Sequence, residues 1–276
     1  MKTTTFLSLL VSVVLMSCVG KPVQDERVVT VTIEPLRYFT EQIAGDKFKV
    51  VTMVPKGGNP ETYGPSTKQM MDLSVSDLYI KVGNIGFERT WMQKLEANAP
   101  HSIIVDSSEG VTPLRTPHGD IDPHTWMSVV NARIIARNIC QALVQIDSKD
   151  SIYFQDNLKL LLQQIDDVDA SIRKTLTESK TRSFLIYHPV LTYFAHDYNL
   201  NQIAMEEEGR EPSASQLKNV IMDARSKGVK IFFVQSEFAN RNIDIVAEET
   251  QTTKTAINPL GYNWTKEMLK VAQSLR

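Results

Sequence analysis

The sequence predicts an α/β fold of two lobes, each a parallel sheet of about four strands flanked by helices, joined by one long helix. Three observations carry this expectation. Short apolar or β-branched runs alternate with helix-length segments from residue 28 to about 105, the pattern of βαβ units. The alternation lapses near residue 126 and resumes near 184. Between them, from Ser148 to about Ser179, lies a stretch free of Gly and Pro with apolar residues in steps of three and four.

At the N-terminus, Lys2 precedes an apolar run over 6–16 that ends in Leu15-Met16-Ser17-Cys18. A basic start, a short apolar core and a small residue mark a cleaved export signal over 1–17, too short for the roughly 20 residues of a spanning helix. Leu-x-Ser-Cys resembles a bacterial lipobox, which makes Cys18 the acylated first residue of the mature chain and 18–27 a polar tether to a membrane surface. The plainer alternative is an ordinary signal peptide with an incidental cysteine. The other cysteine, Cys140, falls on an expected helix and reads as a small buried apolar residue. With Cys18 acylated no internal disulfide forms, so the core must supply the stability. A length of 276 residues with 42% hydrophobic content allows that. Basic residues number 30 against 32 acidic ones, which gives no footprint for nucleic acid.

In the front lobe, over 28–147, strands are expected at 28–33, 48–54, 78–82 and 102–105, with helices at 35–43, 68–73, 87–97 and 131–146. Gly45 stops the first helix. The linking helix, over 148–180, carries Phe154, Leu158, Leu161, Ile165, Val168, Ile172 and Leu176 on one stripe. About thirty residues at 1.5 Å each make a rod of roughly 45 Å, either a long packed helix or a rigid strut between lobes. In the rear lobe, over 181–276, strands are expected at 184–187, 200–205, 230–234 and 254–257, and helices at 190–198, 215–226, 243–250 and 265–275. No sequence repeat links the two halves.

Chemistry concentrates at strand ends. Glu61 lies in the Gly- and Pro-rich loop Val54-Pro55-Lys56-Gly57-Gly58-Asn59-Pro60-Glu61, His124 in Asp122-Pro123-His124-Thr125-Trp126, and His188 just past the strand Phe184-Leu185-Ile186-Tyr187. Each alone reads as well as a solvated carboxylate, a histidine packed on an indole, or a satisfied strand-end histidine. Together they fall at the edge of the sheets where open α/β folds bind ligands. Two imidazoles and a carboxylate suit a divalent metal with an open position.

The motif Val-Pro-x-Gly-x-x-Pro-x-x-Tyr-x-Pro-Ser, from Val54 to Ser66, Asp-Pro-His-x-Trp, and the strand followed by His188 and Tyr193-Phe194 resemble the substrate-binding lipoproteins of zinc/manganese ABC importers. Ile43-Ala44-Gly45-Asp46, Glu211-Pro212-Ser213 and the Asn258-Pro259-Leu260-Gly261 ending extend the resemblance from residue 28 to the C-terminus. It implies two lobes with four-stranded parallel sheets on one backbone helix, and four metal ligands between them. The first falls on Glu61, where the family usually has His; the second and third fall on His124 and His188. The fourth falls on Asn258, where the family usually has Asp, leaving a neutral amide as a weaker ligand. His118 and Glu208 are auxiliary candidates, the acidic run of residues 206–208 reading first as a solvated loop. Tyr63, Trp126 and Tyr193 are expected around the ligands or at the lobe interface.

The function implied is capture of one divalent ion without turnover. A lipid-anchored monomer on a bacterial membrane would hand the ion to a permease and its ATPase. Zinc leads manganese or iron on ligand type, although the loop 107–121 has only His118 and lacks a His-rich zinc signature. Two alternatives stand beside it. A zinc hydrolase would use the same ligands, but no His-Glu-x-x-His is present. A surface adhesin or a binder of an organic metal chelate would share the long helix.

Overall fold

The computed structural model describes residues 27–179, 181–206, 212–235 and 241–276. The export signal, Cys18, most of the tether and Glu208 lie outside them. In the front lobe run β1 (Val28–Val31), α1 (Glu34–Ala44), β2 (Lys49–Thr52), α2 (Thr67–Leu73), β3 (Leu78–Lys81), α3 (Gly86–Asn98) and β4 (Ile103–Asp106). A 3-10 turn at Thr125–Met127 leads into α4 (Val129–Ile146), and α5 (Ser151–Thr177) follows. The rear lobe continues with β5 (Ser183–Ile186), α6 (Thr192–Asp197), β6 (Asn201–Ala204), α7 (Ala214–Ser226), β7 (Ile231–Gln235), α8 (Arg241–Thr250), β8 (Thr253–Ile257) and α9 (Trp264–Ser274).

Both sheets are four-stranded and parallel, in the orders β2-β1-β3-β4 and β6-β5-β7-β8. The two halves thus share a topology that their sequences do not display as a repeat. Central strands are mostly apolar because both faces are covered; all four residues of β5 are buried. In each order the chain reverses direction beside the first strand, which opens a crevice at the carboxyl ends of β1 and β3, and of β5 and β7.

Helix ends follow local chemistry. Ser66 caps α2 and Ser213 caps α7, each in a capping box with the glutamine three residues on. Ser128 caps α4 by accepting from the Asn131 N–H, so that helix begins two residues before the apolar pattern suggests. Past the end of α4 the expected long helix is present, its first three residues, Ser148–Asp150, forming a 3-10 turn before α5 starts.

The α5 stripe is buried at Phe154, Leu161, Ile165, Val168, Ile172 and Leu176. Each such side chain contributes about 1.5–3 kcal/mol on burial. The helix packs on α1 and α4 of the front lobe and on α9 of the rear lobe. One continuous core therefore runs from Val29 through the α5 stripe to Trp264 and Val271. A smaller cluster, with Leu185, Phe232 and Val246, sits apart under α7 and α8.

Candidate metal centre

His124 is held by its own loop. The Asp122 carboxylate accepts the His124 backbone N–H at 2.9 Å, an Asx turn, and its Oδ1 lies 2.8 Å from His124 Nδ1. Trp126 then anchors the turn to the rear lobe, its Nε1 donating to the Pro259 carbonyl at 2.8 Å. The indole packs edge-on to the His124 ring with centroids 5.3 Å apart.

His188 stands just past β5, in the crevice beside β7. Gln235, the last residue of β7, bonds its backbone twice: Nε2 donates to the His188 carbonyl at 2.7 Å, and Oε1 accepts the His188 N–H at 3.4 Å. The ring is fixed by Glu206, whose Oε2 lies 2.8 Å from His188 Nδ1. Glu206 is 1% exposed, which corrects the expectation of a solvated loop at this residue. Its neighbours Glu207 and Glu208 lie outside the described residues.

Each imidazole therefore has a carboxylate within hydrogen-bond distance of Nδ1, which favours a proton there and directs Nε2 to the facing ring, the two Nε2 atoms sharing a proton until an ion displaces it. The two Nε2 atoms face one another at 3.2 Å. A tetrahedral ion with bonds of about 2.0–2.1 Å needs donors about 3.3 Å apart, and the two nitrogens stand at nearly that separation.

Glu61 lines the same cavity from the front lobe. Asn59 holds its loop, taking the Glu61 N–H on its side chain at 2.9 Å and the Tyr63 N–H on its carbonyl. The Glu61 carboxylate accepts the Gly86 N–H at 3.2 Å and lies 3.8 Å from the Arg89 guanidinium. Among the described residues, no three His, Cys, Asp or Glu side chains lie close enough to hold an ion together. Held on Gly86 and near Arg89, the Glu61 carboxylate lines the cavity without forming such a cluster with the imidazoles.

The cavity is about 40 Å³, walled by Trp126, Val190, Pro259 and Leu260. That is room for an ion with a water or two, far below the roughly 300 Å³ of a small-molecule pocket. Burial by itself would lower the His124 pKa. The Asp122 carboxylate, with Glu61 and Glu206 beyond it, outweighs burial and leaves it raised. Asp122 behaves inversely: burial would raise its pKa, but the adjoining His124 and its hydrogen bonds hold it below the ordinary value.

The remaining candidates are dispersed. Asn258 lines a neighbouring cavity with Ile33, Glu34, Val54 and Gly58, and its backbone N–H donates to Glu267 at 2.6 Å. Tyr193 spans the lobes, its hydroxyl donating to the Asp122 carbonyl at 3.0 Å and accepting from the Leu114 N–H at 3.1 Å. Tyr63 bonds Gln69 and packs near Phe87, away from the imidazoles. His118 is exposed on the loop before Asp122. Sequence reasoning missed the part of Gln235, which only its place at the end of β7 beside β5 announces.

The family model for the periplasmic zinc-uptake complex component A, ZnuA, matches residues 29–275. The high-affinity zinc uptake system protein ZnuA of Bacillus subtilis is 26% identical over 254 residues, covering 86% of this chain and 79% of that protein. The manganese ABC transporter substrate-binding lipoprotein PsaA of Streptococcus anginosus is 28% identical over 228 residues, covering 76% and 72%. A crystal structure of ZnuA superimposes with a TM-score of 0.86 at 33% identity, covering 90% of this chain and 97% of that one.

Proposed function

The chain belongs to the zinc-uptake complex component A family, and from that membership we propose that it captures zinc between its lobes for an ABC importer. It is a metal-binding substrate-binding protein of such an importer, a transport component rather than an enzyme. The relatives divide between zinc and manganese by name. Zinc is the reading for this chain because two imidazoles dominate the cavity, and a shared nitrogen site favours zinc over manganese. His124 and His188 bind through Nε2, Glu61 swings in as the third ligand, and Asn258 is a weak fourth that gives way to water. The mature chain is a lipid-anchored monomer, held at the membrane by Cys18 beside its permease and ATPase.

The observation that carries this reading is the pair of Nε2 atoms at 3.2 Å, each backed by a carboxylate on the opposite nitrogen. Hydrolysis and chelate binding fare worse, since the cavity is too small for a substrate beside the ion. Calorimetric titration of the mature protein tests the proposal. One zinc site per chain is expected, with His124→Ala and His188→Ala each weakening it by about a hundredfold or more, ~2.7 kcal/mol, and Asn258→Ala by less than tenfold. A chain that takes up neither zinc nor manganese near neutral pH would end the proposal.

A further inference from the structure

We propose that Glu206 is a positioning residue of the ion site, the carboxylate through which the rear lobe adds negative charge to the ion by way of His188. The inference rests on the function proposed above. Its starting point is the burial of an acidic side chain at the end of an edge strand, where Glu is ordinarily solvated.

The backbone fixes Glu206 in place. Past the last residue of β6, the Met205 N–H donates to the Ile186 carbonyl at 2.8 Å and the Glu206 N–H to the Tyr187 carbonyl at 2.9 Å. Glu206 thus stays in register beside β5 until it faces His188, and its carboxylate reaches Nδ1 at 2.8 Å. An anion so deeply buried is tolerated only beside a hydrogen-bonded partner, and the His188 N–H is one.

The consequence for the ion follows from charge and tautomer. A carboxylate on Nδ1 selects the Nδ1–H form, frees Nε2 and makes it a stronger donor. The front lobe has such a group in Asp122, beside Glu61, which lines the cavity directly. At the cavity edge the rear lobe presents Gln235, Pro259 and Leu260, and Asn258 is neutral. Among the described residues, Glu206 is therefore the rear lobe's charged contribution, delivered through the ring rather than by direct coordination.

The test uses the mature protein and Glu206→Gln, which keeps the shape and an acceptor but removes the charge. Zinc affinity is measured by chelator competition, the melting temperature without zinc by calorimetry, and the His188 tautomer by nitrogen-15 NMR. Expected are an affinity lower by about 10–100-fold, a melting temperature without zinc that does not fall in proportion, and a proton on His188 Nδ1 in wild type. Unchanged affinity, lost affinity matched by the fall in melting temperature, or a wild-type His188 Nδ1 without a proton overturns the inference. Loss of an oxygen neighbour from the zinc in X-ray absorption overturns it too, since Glu206 would then be a ligand. Should the variant fail to fold, the wild type decides: a His188 Nδ1 without a proton in the zinc-free protein refutes the assignment. If wild type binds no zinc, the proposed function fails, while the tautomer still tests the Glu206 contact.

Discussion

At Gly86 the Glu61 loop packs where a side chain is missing. A Cβ there would sit 2.3 Å from Glu61 Oε2, and 2.9 and 3.0 Å from the carbonyl oxygen and Cα of Glu61. Two of those three atoms are backbone, so the Glu61 loop itself would have to move. Gly86→Ala should leave a folded chain, destabilised by about 1–3 kcal/mol, whose zinc affinity falls by about tenfold or more. Titration beside a melting curve checks both, and wild-type affinity in that variant would show that ion binding does not need the Glu61 loop in this position. The raised pKa of His124 carries a second consequence. A raised value keeps the ring protonated to higher pH, so the proton competes with the ion above the ordinary histidine value of about 6.5. Zinc affinity should therefore begin to fall above that pH as acid is added. Asp122→Asn removes the main cause of the shift and should move the fall to lower pH. Affinity that stays flat down to pH ~6.5 in wild type would contradict this.

Among the elements, the junction of β3 and α3 shows how the crevice of the front lobe is closed. Glu88, in the first turn of α3, folds its carboxylate back onto the end of β3, accepting the Val82 N–H at 2.6 Å and the Gly83 N–H at 2.8 Å. The Thr32 hydroxyl, at the end of β1, donates to it at 2.5 Å. Burial holds the Glu88 carboxyl above its usual pKa even against these three donors. One side chain thus satisfies the backbone at the point where the rear lobe instead places His188 and Gln235. Glu88→Ala would leave two backbone donors and a hydroxyl without it, at a cost of about 3 kcal/mol. For a chain of this size the melting temperature should drop by roughly 6–12 °C, with zinc affinity close to wild type. An unchanged melting temperature would remove Glu88 from this role.

Across the whole molecule, the lobes are fastened below the cavity as well as by α5. Trp264 Nε1 donates to the Trp126 carbonyl at 2.6 Å, the Tyr262 hydroxyl to Glu41 at 2.6 Å, and the Tyr38 and Thr265 hydroxyls meet at 2.8 Å. With one core continuous through α5, wide opening would expose apolar surface and break this seam together. Capture and release should therefore proceed by small shifts. Spin labels at exposed Met71 and Met222, on α2 and α7, should change separation by no more than about 3 Å on zinc binding, the scale of helix shifts rather than hinge opening. A change near 10 Å would contradict the rigid seam.

Sequence by itself determined the two parallel sheets, the long helix and the strand-end positions of Glu61, His124 and His188, because periodicity and local punctuation are properties of neighbouring residues. The meeting of His124 with His188, 64 residues apart, followed from the edge at which parallel strands all end. Local patterns could not decide which face an edge residue turns to. Glu206 stands in an acidic run that reads as solvated, and the parallel pairing of β6 with β5 carried it into the interior beside His188. Asn258 was expected as a ligand from the resemblance alone, and the packing of its loop on α1 and α9 set it along a neighbouring cavity. Burial and partners at such positions depend on strands and helices brought together from distant parts of the chain, so only the tertiary structure could assign them.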